Sequence, residues 1–174
     1  MKLEQPAWPR FLATRTVVAW ATLGPVGRRL PAPGTWGSVA GLLYFTAVFA
    51  GRVGTAGNLL LSAIGGYLAV GICGEAESRI GRNDPGEVIL DEFVAMPLCF
   101  LGWPHLLNPL PASAVFLAGL GLFRLFDIAK PFGISRLQSL PGGWGIVIDD
   151  TAAALASCLC MHVGQWAWHA AHGG

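Results

Sequence analysis

The chain has 174 residues, 53% of them hydrophobic and only 12% charged, with a formal net charge of +1; an ordinary soluble domain carries roughly 25% charge. So much apolar side chain excludes a disordered protein, and 11 basic residues against 10 acidic exclude a basic nucleic-acid binder. Four cysteines, two of them crowded at Cys158 and Cys160, are too sparse for a disulfide-stapled secreted domain.

Residues 1–30 read as a cytosolic or interfacial arm. Lys2, Glu4, Arg10 and Arg15 interrupt any signal-peptide core, and Trp8 and Phe11 suit a headgroup layer. Four tracts without Asp, Glu, Lys or Arg follow, at 30–51, 53–74, 93–123 and 151–174. A helix needs about 20 mostly apolar residues to cross a bilayer core. The tracts predict a single-domain, all-α membrane bundle over 1–174 with four to five apolar segments. These lie over roughly 37–50, 57–73, 93–104, 111–123 and 146–164. Pro97, Pro104, Pro109 and Pro111 break the third tract, and its short segments suit a re-entrant hairpin. The tail 165–174 carries Trp166 and Trp168, again suited to an interface. With the N-terminus in the cytoplasm, every basic residue except Arg52 falls on that side, as the positive-inside rule asks.

All the carboxylates fall on that side or just inside the membrane from it. Asp84, Glu87, Asp91 and Glu92 crowd into nine residues; Asp127 sits in FRLFDIAKP; Asp149 and Asp150 open the last apolar segment. NDPGEVILDEF predicts a helix with Asp84 as N-cap, Pro85 at the first position and Glu87 completing a capping box. Positions 84, 87 and 91 then share one face. Carboxylates this close need a counter-charge, and a hard divalent cation such as Mg²⁺ is the simplest. Asp84, Asp91, Glu92, Asp149 and Asp150 are the candidate metal ligands.

Arg124 and Lys130 flank Asp127 at offsets of three, whereas Arg79, Arg82 and Arg136 read as a snorkelling girdle. Carboxylates, a metal, Arg and Lys together form the recurring kit for phosphoryl transfer. This makes Arg124, Asp127 and Lys130 candidate catalytic residues. Gly34, Thr35, Trp36, Gly37 and Ser38, and later Gly142 and Gly143, precede apolar helical tracts. Helix N-termini attract anions, so both blocks are candidate substrate-binding elements; a plain helix entry capped by Thr35 or Ser38 is the simpler alternative. The four histidines are scattered, and the cysteines lie in apolar tracts as small hydrophobes. Intramembrane acids also occur in cation or proton carriers, but here they gather on one side rather than along a path.

The blocks GTWGS, DPGEVILDEFVAMP, FRLFDIAKPFGISRLQ and GGWGIVIDDTAA resemble the phosphatidylglycerophosphatase A family in order and spacing, from about residue 31 to about residue 157. The resemblance implies an all-helical, Mg²⁺-dependent phosphatase of the bacterial inner membrane. Such an enzyme converts the membrane phospholipid phosphatidylglycerophosphate to phosphatidylglycerol and inorganic phosphate, with its site on the cytoplasmic side. It assigns Asp84, Asp91, Glu92, Asp127, Asp149 and Asp150 to the site, with Arg124 and Lys130 as phosphate binders. Another lipid phosphate or a soluble phosphate ester is the alternative substrate. The stretch ISRLQSLPGG departs from the family's more charged pattern. Oligomeric state has no signature in the sequence.

Overall fold

A computed structural model describes residues 3–107 and 110–172. Among the described residues there are helices and turns and no strands. The elements are a 3₁₀ turn at Trp8–Phe11, α1 (Thr14–Ala21), α2 (Val26–Arg29), α3 (Pro33–Tyr44) with a π-helical extension at Phe45–Phe49, and α4 (Thr55–Ile80). Next come α5 (Leu90–Ala95) with a 3₁₀ extension at Met96–Phe100, α6 (Trp103–Leu106), α7 (Ala112–Ala129), a 3₁₀ stretch at Pro131–Ser139, and α8 (Gly143–His172). Of the prolines expected to break the third tract, Pro109 lies outside the described residues.

The ends of the helices follow from local chemistry. Gly81 ends α4 in the left-handed region at φ +73°, where glycine has no Cβ to clash. Pro97 lacks the N–H that would continue α5, and the chain tightens there into a 3₁₀ turn. Lys130 ends α7 at φ +42°.

α4, α7 and α8 are long and apolar enough to cross a membrane. They turn apolar side chains outward: Leu60 and Ile64 on α4, Leu117 and Ile128 on α7, Leu159 and Val163 on α8 are all exposed. Bilayer hydrocarbon is the solvent that suits such faces. The segment expected over 93–104 is different. It is a short central piece, buried without interruption from Ala95 to Phe100, and α3 is likewise shorter than the three long helices.

Contacts along the helices give their directions. Asn58 of α4 donates to the Pro97 carbonyl at 3.1 Å, while Gly74 at its other end lies against Gly143. α4 therefore runs antiparallel to both α5 and α8. Gly119 of α7 lies against Met161 of α8, and Lys130 meets Asp149, so this pair is antiparallel too. α3 runs alongside α5: Gly34 is beside Glu92, and the Phe45 ring stacks on Phe100 with centroids 4.6 Å apart. In consequence α3, α5 and α8 begin, and α4 and α7 end, at the same end of the bundle.

The N-terminal arm is folded against this framework. Val17 and Ala21 of α1 are fully buried, and the Ile89 N–H donates to the Ala21 carbonyl at 2.9 Å. Arg79, expected in a snorkelling girdle, instead fastens the arm. Its guanidinium donates to the carbonyls of Leu12 (2.8 Å), Pro9 (3.2 Å) and Arg10 (3.3 Å) while pairing with Glu75 at 2.8 Å. Buried carbonyls at the frayed edges of short helices need donors, and Arg supplies several at once.

The crossing of α4 and α8 depends on a side chain being absent. A Cβ on Gly143 would run into the Val70 carbonyl and the backbone of Gly74. Gly143→Ala is therefore expected to cost about 1–3 kcal/mol in overpacking strain. Gly121→Ala, with open space around it, is expected to be neutral or to stabilise by up to about 1 kcal/mol through helix propensity. Thermal unfolding of the detergent-solubilised variants reads both.

Candidate active site

The acidic blocks of the sequence reach one place from three helices. Asp91 and Glu92 lie in the first turn of α5, where free N–H groups favour negative charge. Asp149 and Asp150 lie two turns into α8, and Arg124 and Asp127 occupy the last two turns of α7. Carboxylate oxygens of Asp91, Glu92 and Asp150 all fall within 4.8 Å of one another, and all three residues are buried. Among the described residues, Asp91 Oδ1, Glu92 Oε2, Asp149 Oδ1 and Asp150 Oδ2 are buried without a hydrogen-bond donor.

Two cations stand beside the acids. Arg124 Nη1 is 2.7 Å from Asp127 Oδ2 and 3.7 Å from Glu92 Oε1. Lys130 Nζ donates to Asp149 Oδ2 and lies 3.9 Å from Asp127 Oδ1. Five carboxylates thus face one Arg and one Lys. Burial works to lower the Lys130 ammonium, but Asp149, Asp127 and Asp150 outweigh that and hold it protonated above the usual lysine value.

The donor set fits a hard cation. It is all oxygen, it carries excess negative charge, and several of its oxygens have no other partner; those are the preferences of Mg²⁺ rather than of a soft metal.

The sequence candidates separate on this geometry. Asp91, Glu92, Asp149, Asp150, Asp127, Arg124 and Lys130 come together. Asp84 does not join the three-carboxylate group, and the capped helix expected from it does not form. Asp84 is exposed at φ +45°, with its own N–H donating to Glu77 Oε1 at 2.9 Å. An N-cap residue needs extended backbone. Glu87 is drawn away to Arg82 at 2.5 Å, so α5 starts only at Leu90.

The first glycine block reaches the acids through its glycines. A Cβ on Gly34 would strike Glu92 Oε1 and stand 3.0 Å from Arg124 Nη1, and one on Gly37 would lie 3.3 Å from Glu92 Oε2. Thr35 and Trp36 are exposed, and the buried Ser38 hydroxyl donates to the Gly34 carbonyl at 2.9 Å. The second block behaves differently from expectation. Gly142 and Gly143 pack on Gln5 and α4, and the Gly143 N–H is taken by Gln5 Oε1 at 2.9 Å. That donor is committed to holding α8 in place and is not open to an anion. Gln5, which belongs to no motif, is the residue whose part in setting α8 is invisible in the sequence.

Residues 19–165 match the family model described as phosphatidylglycerophosphatase A. The chain belongs to the phosphatidylglycerophosphatase A family. It is accordingly a phosphoric monoester hydrolase. A phosphatidylglycerophosphatase A of Haemophilus influenzae is 34% identical over 137 residues, covering 78% of this chain and 80% of that protein. One of Escherichia coli is 31% identical over 128 residues, covering 72% and 69%. A Bacteroides thetaiotaomicron protein provisionally named a phosphatidylinositol-3-phosphatase is 31% identical over 140 residues, covering 78% and 84%. No solved structure matches the chain. The family match covers every residue of the carboxylate cluster.

Lys130, past the end of α7, holds its proton more tightly folded than unfolded. The stability this provides is complete below the ordinary lysine range and is lost as pH rises through the raised value. The unfolding temperature is therefore expected to fall as pH rises above about 10, and Lys130→Met is expected to flatten that slope.

Proposed function

We propose that this phosphatidylglycerophosphatase A family member hydrolyses the terminal phosphate monoester of phosphatidylglycerophosphate, yielding phosphatidylglycerol and inorganic phosphate. In this reading Mg²⁺ is held by Asp91, Glu92 and Asp150. The buried, all-oxygen cluster of those three residues, with Arg124 and Lys130 at its edge, carries the proposal.

When bound, Mg²⁺ supplies concentrated positive charge and Lewis acidity at the phosphate. The chain's own residues do the rest. Arg124 and Lys130 offer N–H donors to the phosphoryl oxygens as charge builds there. Asp127 touches both cations and orients them; it is also the carboxylate placed to take the proton of the attacking water. Asp149 keeps Lys130 in position. The water oxygen bonds to phosphorus as the phosphorus–oxygen bond to glycerol breaks; the glycerol oxygen takes up the proton that Asp127 removed, and the alcohol leaves with the lipid.

The same layout supports the membrane placement. α4 and α7 both run towards the acidic end, so Leu90–Leu106 has to bring the chain back between them, and Pro33–Phe49 has to deliver it to the start of α4. This supports five apolar passes, of which three are long helices and two are shorter, one of them buried from Ala95 to Phe100. Irregular backbone at Pro97 is tolerable at membrane depth only because protein covers it. Among the described basic residues Arg52 alone stands at the far end, which supports a cytoplasmic site in the bacterial inner membrane.

The test is phosphate release from phosphatidylglycerophosphate by the detergent-solubilised chain, with Mg²⁺ and with EDTA. Turnover is expected to vanish in EDTA, and Asp91→Asn, Asp150→Asn or Lys130→Met to lose on the order of 10²–10³ in kcat. Undiminished turnover in EDTA removes the metal. A panel including a 3-phosphorylated inositol lipid and a soluble phosphate ester reads the substrate, and preference for either of those replaces the proposed one.

A further inference from the structure

Two cavities meet at the arm, away from the carboxylate cluster. One, of about 650 Å³, is walled almost wholly by apolar side chains, among them Trp20 of α1, Leu61 and Leu68 of α4, and Phe93 and Val94 of α5. Phe93 and Val94 belong to the same stretch as Asp91 and Glu92 but are not part of the carboxylate cluster. The other, of about 710 Å³, is walled by α1 and α2 and includes Arg15, Arg28 and Arg29. Ala19 and Gly24 line both, so the basic cavity adjoins the apolar one. Both volumes lie in the range of small-molecule sites.

The three arginines lack counter-charges. Among the described residues none of them makes an ion pair or a side-chain hydrogen bond, and no carboxylate lines their cavity. Glu87, which lies against Gly27 of α2, pairs with Arg82 instead. The setting is that of a headgroup layer. α1 is tied to the start of α5 through Ala21 and Ile89, at the charged end of the bundle. Trp20 stands half exposed beside the groove, and Leu61 and Leu68 at its rim belong to the outward apolar face of α4. Aromatic rings and unpaired arginines at that depth, over an apolar cleft open to the bilayer side, are complementary to a single molecule with an anionic head and a long apolar tail.

We propose that the arm and α4 form a second, non-catalytic site for one anionic glycerophospholipid. Its headgroup phosphate sits against Arg15, Arg28 and Arg29, and one acyl chain lies in the groove past Trp20. The chain then carries two separate lipid-facing sites on opposite sides of α5, one acidic and hydrolytic, one basic and retaining. This second site does not depend on which ester the acidic site cleaves.

Native mass spectrometry of the full chain, released from detergent after titration with phosphatidylglycerol or phosphatidylcholine, tests the assignment. One phosphatidylglycerol per chain is expected to be retained at least about tenfold more tightly than phosphatidylcholine. The triple variant Arg15→Gln, Arg28→Gln, Arg29→Gln is expected to lose that preference; all three residues are exposed, so helicity by circular dichroism should be unchanged. Ala19→Trp, which fills the junction, is expected to weaken retention of both lipids. Asp150→Asn and Asp127→Asn are expected to bind phosphatidylglycerol as the parent chain does, even where they abolish turnover. Equal retention of the two lipids, or an unaffected triple variant, overturns the proposal. Loss of binding in the Asp150 and Asp127 variants would instead place the lipid in the acidic site. A lipid-free dimer in the spectrum would assign the groove to a second copy of the chain, and would also overturn it.

Discussion

The rest of this structure is arranged around a repulsion. Asp91, Glu92 and Asp150 place carboxylate oxygens within 4.8 Å of one another in a buried space, where like charges interact far more strongly than in water. No arrangement of apolar side chains can offset that. Arg124 and Lys130, drawn in from α7, answer part of it, and several oxygens are left without a hydrogen-bond donor. The cluster is costly to fold; in the proposed function it supplies the concentrated charge that phosphate chemistry needs in a dry place.

Bringing three helices to one point requires backbones to approach closely, and glycine sets the terms. Gly34 and Gly37 let α3 lie against Glu92 and Arg124 without a Cβ between them. Gly143 lets α8 cross α4 at the Val70 carbonyl. Gln5 then closes this crossing, accepting from the Gly143 N–H and donating to the Val70 carbonyl at 3.0 Å. An N-terminal segment that looks like an accessory arm thus helps to set the angle of the helix that carries Asp149 and Asp150. Small residues at a close crossing, with polar groups satisfied across it, are the usual way to join helices where lipid offers no hydrophobic drive.

Membrane burial also explains the division of labour among the apolar segments. The three long helices face outward with leucine, isoleucine and valine, whereas the short stretch from Ala95 to Phe100 has no exposed residue. Its proline and 3₁₀ geometry leave backbone groups that only a protein environment can satisfy. The Pro97 carbonyl, for instance, takes its hydrogen bond from Asn58. The most irregular piece is therefore at the centre, and the most regular ones are at the rim.

Local sequence was enough to determine that the chain is helical and apolar and that its charges gather at one end; the grouping of Asp91, Glu92, Asp127, Asp149, Asp150, Arg124 and Lys130, with Asp84, came from the family resemblance of their blocks. Composition and short spacing are properties of neighbouring residues, and the solvent preference of a segment does not depend on its partners. The capped helix expected at Asp84 failed for the complementary reason: Arg82 took Glu87, and Ala21 took the Ile89 N–H, so contacts beyond the motif decided its backbone. Only the tertiary structure decided which three carboxylates share a space, that Lys130 answers Asp149 across 19 positions, and that Gly143 serves Gln5 across 138. These pairings depend on the rotation and crossing of helices far apart in the chain, and no pattern within one helix carries that information.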